Sequence, residues 1–179
     1  EADSPIRELS DGVVGIIGVG GIGREIALVL AQAGANIVAA ARTVSEIKET
    51  AADVRELGRE SIAIPADVSR SSDVDQLVER ALQHFGRIDI LVNNAGQLLR
   101  LAVAPFPDVI VKHPRVTRES NSRMSDEEWQ SVMNTNLNSV FYCCRAVAPH
   151  MMDRRYGKII NVSSNNGTQA FPLVAAYNA

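Results

Sequence analysis

The chain is short of the residues that mark several protein classes. It has 2 cysteines, Cys143 and Cys144, which are neighbours and cannot easily bridge each other. That excludes a disulfide scaffold and points to a reducing compartment. Its 3 histidines, His84, His113 and His150, are scattered without metal-ligand spacing, and no zinc pattern joins them to the cysteines, so no metal is expected. Charge is nearly balanced, with a net −3, which gives no reason to expect nucleic acid or an acidic membrane surface as a partner. No apolar run reaches the length of a transmembrane helix, and the opening Glu1-Ala2-Asp3-Ser4-Pro5 is not a signal peptide. A cytoplasmic protein is expected, its start trimmed because no initiator Met is present. What the chain does have is 46% hydrophobic residues over 179 positions, enough to build the core of one domain spanning 1–179.

Gly18-Val19-Gly20-Gly21-Ile22-Gly23 stands between the apolar run Val13-Val14-Gly15-Ile16-Ile17 and the helical pattern starting at Arg24. Glycines at 18, 20 and 23 fit the spacing of a dinucleotide-binding turn in its strand–turn–helix context. Missing side chains let a diphosphate approach the backbone, where the N–H groups and dipole of a helix N-terminus favour its charge. The alternative is a glycine-rich turn without a ligand.

Further strands are expected at 36–41, 61–65, 88–92 and 158–162. The helices between them carry apolar residues at helical spacing, such as Ile47, Ala51, Val54 and Leu57, or Val74, Leu77, Val78, Ala81, Leu82 and Phe85. Thr43 or Ser45 is the expected cap of the second helix and Ser72 of the third, while Gly58 ends the second. Apolar strands alternating with amphipathic helices predict a doubly wound parallel sheet of the Rossmann kind, helices on both faces, in the order 3-2-1-4-5. Residues 97–123 break this rhythm with Pro105, Pro107 and Pro114, and read as an insertion beside the cleft, either a lid carrying Arg100 and Lys112 or a segment without a role. Helix resumes at Ser125, with Glu128 as its capping-box partner, and continues through Trp129, Val132, Leu137 and Phe141 towards Met151; Gly157 closes that region. Arg154-Arg155 reads as a solvated helix end.

With the glycine loop, Asp67-Val68, Asn93-Asn94-Ala95-Gly96, Asn136-Leu137, Ser163-Ser164 and Tyr177 in this order, the chain resembles the short-chain dehydrogenase/reductase family over nearly its whole length. The loop departs from that family's usual form. Ile17 replaces a threonine, and only Val19 and Gly20 separate Gly18 from Gly21, one residue fewer than usual. The resemblance implies a dinucleotide held by Gly18, Gly20, Gly21, Ile22 and Gly23, with Asp67 and Val68 at the adenine and Asn93, Asn94, Ala95 and Gly96 along its ribose side, bracing the sheet.

A carboxylate at the end of the second strand would select NAD; here Ala39-Ala40-Ala41-Arg42 leaves none to repel a 2′-phosphate, and Arg42 offers it a bidentate partner. NADP is therefore expected over NAD, against the alternative of a solvated arginine. By resemblance Tyr177 is the general acid/base, Ser164 orients the substrate carbonyl, and Asn136 supports a relay water; the alternatives are a packed ring, a turn hydroxyl and a helix-kink residue. The family places a lysine four residues after the tyrosine, here position 181, beyond Ala179, so the chain reads as the N-terminal part of a longer enzyme. The activity implied is interconversion of a carbonyl and a secondary alcohol, of the 3-oxoacyl-thioester reductase kind, in a full-length homo-oligomer, dimer or tetramer. A sugar or polyol dehydrogenase and a non-catalytic dinucleotide-binding regulator are the rival readings.

Overall fold

The computed structural model describes residues 9–100, 123–169 and 174–179. The chain divides into two compact units, one of residues 1–95 and 139–162, the other of residues 96–138 and 163–179.

The first unit is a five-stranded sheet, wholly parallel, in the order β3-β2-β1-β4-β5. Its strands are β1 (Val13–Ile17), β2 (Asn36–Ala41), β3 (Ser61–Pro65), β4 (Ile90–Asn93) and β5 (Lys158–Asn161). Four helices cover it: α1 (Gly21–Gln32), α2 (Val44–Glu56), α3 (Ser71–Phe85) and α5 (Ser139–Asp153). Alternate residues of one strand serve opposite faces. Val14 and Ile16 pack with Ile37, Ile90 and Val92 against Ala27 and Ala31 of α1 and Val54 of α2. Val13 and Ile17 pack with Val38 and Leu91 against Val74, Leu77 and Ala81 of α3 and Cys143 and Val147 of α5. The predicted architecture and strand order are those observed.

Several local expectations hold and others are corrected. Gly58, at φ +78°, takes the left-handed position just past α2. Thr43 precedes α2, but its hydroxyl makes no capping bond. Ser72 does not cap α3: the helix starts one residue earlier, and the carboxylate of Asp73 folds back instead, accepting the Asp67 N–H at 3.1 Å and pairing with Arg70 at 2.7 Å. Those two contacts hold the Asp73 carboxyl below its usual range, the Arg70 hydrogen bond counting most. Arg154 is no free helix end: it pairs with buried Asp89 and donates to the Ile88 carbonyl at 3.2 Å. Asp89 also accepts the Val13 N–H at 2.8 Å and faces Arg87 at 3.0 Å. Past α5, Arg155 makes the left-handed turn at φ 53°, whereas Gly157 is required by close approach, since a Cβ there would lie 2.3 Å from Met151.

The second unit holds α4 (Asp126–Met133), a π-helical turn (Asn134–Asn138), a 3-10 turn (Asn165–Gly167) and α6 (Ala175–Asn178). The capping box forms as read: Ser125 Oγ accepts the Glu128 N–H at 3.2 Å, and Glu128 Oε2 accepts the Ser125 N–H at 2.7 Å. The long helix expected from Ser125 to Met151 is interrupted by the π-turn. Beyond it the buried stripe is Ser139, Cys143, Val147 and Met151, while Trp129, Leu137 and Phe141 are exposed. The bulk of the 97–123 insertion, with its lid reading, lies outside the described residues.

Candidate functional site

In the first unit the site begins where β1 ends. Gly18, at φ +86°, donates its N–H to the Ala40 carbonyl at 2.8 Å and accepts Asn94 Nδ2 at 2.7 Å. A Cβ on Gly18 would sit 2.5 Å from Ala95 Cα, and one on Gly23 would sit 2.1 Å from the Gly18 carbonyl oxygen. These two glycines are demanded by the fold. Buried Val19 anchors the shortened loop against Ala39 and Ile47.

Gly20 and Gly21 are different. Neither has positive φ, both are exposed, and a Cβ on either would meet nothing within 4 Å. Gly20 caps α1 without a side chain, and no acidic residue stands in the helix's first turn. The first N–H groups of α1, from Gly21, exposed Ile22 and Gly23, have no intrahelical acceptor. Open space beside N–H groups without intrahelical acceptors, at a helix N-terminus, fits a diphosphate.

Arg42 follows β2, is exposed, and has no partner among the described residues. With the uncapped Thr43 hydroxyl beside it, the β2–α2 junction carries a free cation and a free donor next to a helix N-terminus. Asp67 forms a turn, its Oδ1 accepting the Ser69 N–H at 3.1 Å and the Ser69 hydroxyl at 2.7 Å, while Val68 is buried. Asn93 and Asn94 divide their work at the end of β4. Asn94 clamps the glycine loop, and Asn93 Nδ2 reaches across to Asn161 Oδ1 of β5 at 2.8 Å, bracing the sheet. Asn93 Oδ1 is buried without a partner among the described residues.

The second unit contains Asn136, Ser164 and Tyr177. Asn136 lies in the π-turn, and its carboxamide bonds the backbone of Gln97 twice: Oδ1 accepts the Gln97 N–H at 2.7 Å and Nδ2 donates to the Gln97 carbonyl at 3.0 Å. The side chain clamps the backbone after Gly96, whose own Cβ position would lie 3.9 Å from Asn136 Oδ1. Ser164 follows β5 in the chain and caps the 3-10 turn, accepting the Asn166 N–H at 3.3 Å. Tyr177 sits half-buried on α6, which packs through Ala176 against Met124 and Val132 of the α4 region. No hydrogen bond joins Asn136, Ser164 and Tyr177 to one another among the described residues. Gln97 is the residue that sequence reasoning passes over; its only signal is its place directly after Asn-Asn-Ala-Gly.

Other reactive groups are accounted for. Burial pushes the Cys143 thiol up to about 12, with neighbouring Cys144 adding to it, so it is no nucleophile near neutral pH. His84 pairs with Glu60 at 2.8 Å. Among the described residues no cluster could hold a metal ion, and no helix is long and apolar enough to cross a membrane.

Comparison with known proteins matches residues 12–179 to the family model described as short chain dehydrogenase. A 3-oxoacyl-[acyl-carrier-protein] reductase of Synechocystis is 36% identical over 161 residues, covering 89% of this chain and 58% of that protein. The 2-dehydro-3-deoxy-D-gluconate 5-dehydrogenase of Escherichia coli is 38% identical over 160 residues, covering 89% and 55%. Among solved structures, a metagenomic short-chain oxidoreductase in complex with NADP superposes with a TM-score of 0.79 at 30% identity, over 94% of this chain and 69% of that one. An NAD+-bound xylitol dehydrogenase gives a TM-score of 0.79 at 29% identity, over 95% and 59%. The chain thus spans less than two thirds of the curated relatives' length.

Proposed function

The chain belongs to the short-chain dehydrogenase family, and from that premise we propose that the whole protein is an NADP-dependent oxidoreductase that interconverts a carbonyl and a secondary alcohol. The observation that carries the reading is the cradle at Gly20 and Gly21. Two glycines that neither the backbone conformation nor the surrounding protein requires are explained by a ligand that must come close. The bound dinucleotide supplies hydride transfer at its nicotinamide.

The chain's own residues do the rest. Gly20, Gly21 and Ile22 offer N–H groups to the diphosphate, and Gly18 and Gly23 let the loop close beneath it. Asp67, Val68, Asn93, Asn94, Ala95 and Gly96 line the adenosine side. Arg42 and Thr43 meet the 2′-phosphate. Ser164 donates its hydroxyl to the substrate carbonyl oxygen and fixes its orientation. Tyr177 gives its phenol proton to that oxygen in the reductive direction and takes it back in the oxidative one. Asn136 supports a relay water and holds the segment after Gly96 in place.

A 3-oxoacyl thioester is the first substrate class to test, since a reductase of that kind is 36% identical. A sugar-acid or polyol substrate is the second reading, favoured by the 38% identical 2-dehydro-3-deoxy-D-gluconate 5-dehydrogenase. The working protein is read as a cytoplasmic homo-oligomer, dimer or tetramer, with a small-molecule partner only.

The test uses the full-length protein, NADPH and NADH, and both substrate classes. Turnover with NADPH should exceed that with NADH, and Tyr177→Phe should lose nearly all of it. Arg42→Ala should weaken NADP binding by about 1.5–3 kcal/mol, the worth of a charge-assisted contact, and leave NAD binding unchanged. An active Tyr177→Phe enzyme overturns the catalytic assignment, and equal losses of NADP and NAD overturn the assignment of Arg42.

A further inference from the structure

Gln97 is held through its backbone and its side chain at once. Its N–H and C=O are both taken by the Asn136 carboxamide, at 2.7 and 3.0 Å. Its side-chain Oε1 accepts the Ser131 hydroxyl at 3.2 Å and the Thr135 hydroxyl at 3.3 Å. Ser131 stands near the end of α4 and Thr135 in the π-turn, so one acceptor oxygen spans the junction between the two.

That junction needs support. A π-turn is a rare, locally widened helix conformation, found frequently at functional sites. Here it is tied along the outside by Asn134, whose Oδ1 accepts Gln130 Nε2 at 2.8 Å and Asn138 Nδ2 at 2.7 Å. Gln97 supplies the other tie, from a different stretch of chain. Beside Ser131, Val132 is fully buried and packs with Ala176, the residue before Tyr177, in a small cluster that also takes in Leu99. A shift of α4 at Ser131 is therefore transmitted through Val132 to the helix that carries Tyr177.

Resting on the oxidoreductase reading above, we propose that Gln97 is a positioning residue: its side-chain oxygen pins the α4–π-turn junction and so fixes the placement of Tyr177. Gln97 touches no reacting atom in this role. It acts through Ser131, Thr135 and Val132.

The distinction from a merely structural role lies in the acceptor. Gln97→Leu keeps the volume and removes the oxygen; Gln97→Glu keeps an oxygen that accepts from both hydroxyls. In the full-length protein, Gln97→Leu should lower kcat for NADPH-dependent carbonyl reduction by about tenfold, the equivalent of two lost hydrogen bonds, with the Kd for NADPH unchanged. Gln97→Glu should recover kcat to within about threefold of wild type. Ser131→Ala should lower kcat alone and add little on top of Gln97→Leu, because the two act as one unit.

Hydrogen exchange gives a readout independent of turnover: Gln97→Leu should speed exchange at the amides of 134–138 and 176–178 in the protein without cofactor. Wild-type kcat and exchange in Gln97→Leu overturn the proposal, as does a Gln97→Glu enzyme as slow as Gln97→Leu. Should Gln97→Leu not fold, Ser131→Ala and Gln97→Glu carry the same comparison, and an unaffected Ser131→Ala overturns it. A wild-type protein that reduces no carbonyl removes the oxidoreductase reading, and exchange alone then decides whether Gln97 pins the junction.

Discussion

Of the four glycines in the loop after β1, Gly18 and Gly23 answer to the protein, and Gly20 and Gly21 do not. That split makes the ligand separable from the fold by single substitutions. A Cβ on Gly23 would lie 2.1 Å from a backbone oxygen that cannot swing aside, so Gly23→Ala should destabilise by about 1–3 kcal/mol, the range of overpacked sites. Gly21 is the first residue of α1, where alanine is the better helix former, so Gly21→Ala should leave the melting temperature unchanged or raise it. The same methyl group intrudes on the cradle and should weaken NADPH binding on the order of tenfold. Calorimetry and a fluorescence titration of the full-length variants separate the two effects. Unaltered NADPH affinity in Gly21→Ala would mean the cradle does not receive the diphosphate. The sequence shows all four glycines as equals, because spacing carries no information on which Cβ would collide. For the same reason nothing in the sequence announces that the Asn136 carboxamide bonds the backbone of Gln97.

At the scale of the element, legibility follows how local the cause is. The capping box at Ser125 and Glu128 lies within four consecutive residues, and it forms as read. β1 is an apolar run without alternation, Val13-Val14-Gly15-Ile16-Ile17, because both its faces are covered, and that pattern is also local. The π-turn is not local in this sense: Gln97, from a distant stretch of chain, accepts from Ser131 and Thr135 at it, and helical spacing, which reads as one continuous helix through Trp129 and Phe141, carries no mark of that contact. Arg154 and Asp89 stand 65 positions apart, and nothing in either neighbourhood announces the pair. Their pairing is a strong constraint. Asp89 is buried at the foot of β4, where it joins the β1 backbone at Val13 to guanidinium groups from Arg87 and Arg154. Asp89→Ala leaves a buried N–H without its acceptor and should cost about 3–5 kcal/mol in urea unfolding. Arg154→Ala should cost less, since Arg87 and the Val13 N–H still face the carboxylate. Equal losses in the two variants would show that Arg154, not the β1 contact, is what Asp89 serves.

For the whole molecule, the sheet order follows from alternating strands and helices, and the relatives confirm the family over residues 12–179, but the far edge of the sheet behaves unlike the rest. β1 is buried at every position, whereas β5 is exposed at every position, with Ile160 at 49% and Val162 just beyond it at 44%. Among the described residues β5 pairs with a strand on one side only, β4, which leaves it as the edge of the sheet beside apolar side chains. Such an edge is a template for another strand. The chain matches 55–58% of the length of those relatives. The 179-residue chain should therefore associate, with a sedimentation coefficient that rises with protein concentration. Charge at the edge opposes strand addition, so Ile160→Lys should shift the distribution towards monomer without altering the β1–β4 core, which the far-ultraviolet circular dichroism would report as unchanged. The substitution lies at a half-exposed position and should leave stability within about 0.5 kcal/mol. A monomer at every concentration in the unaltered chain, or association undiminished by Ile160→Lys, would place the adhesive surface elsewhere, and the exposed α5 residues Phe141 and Met152 would be the next to substitute.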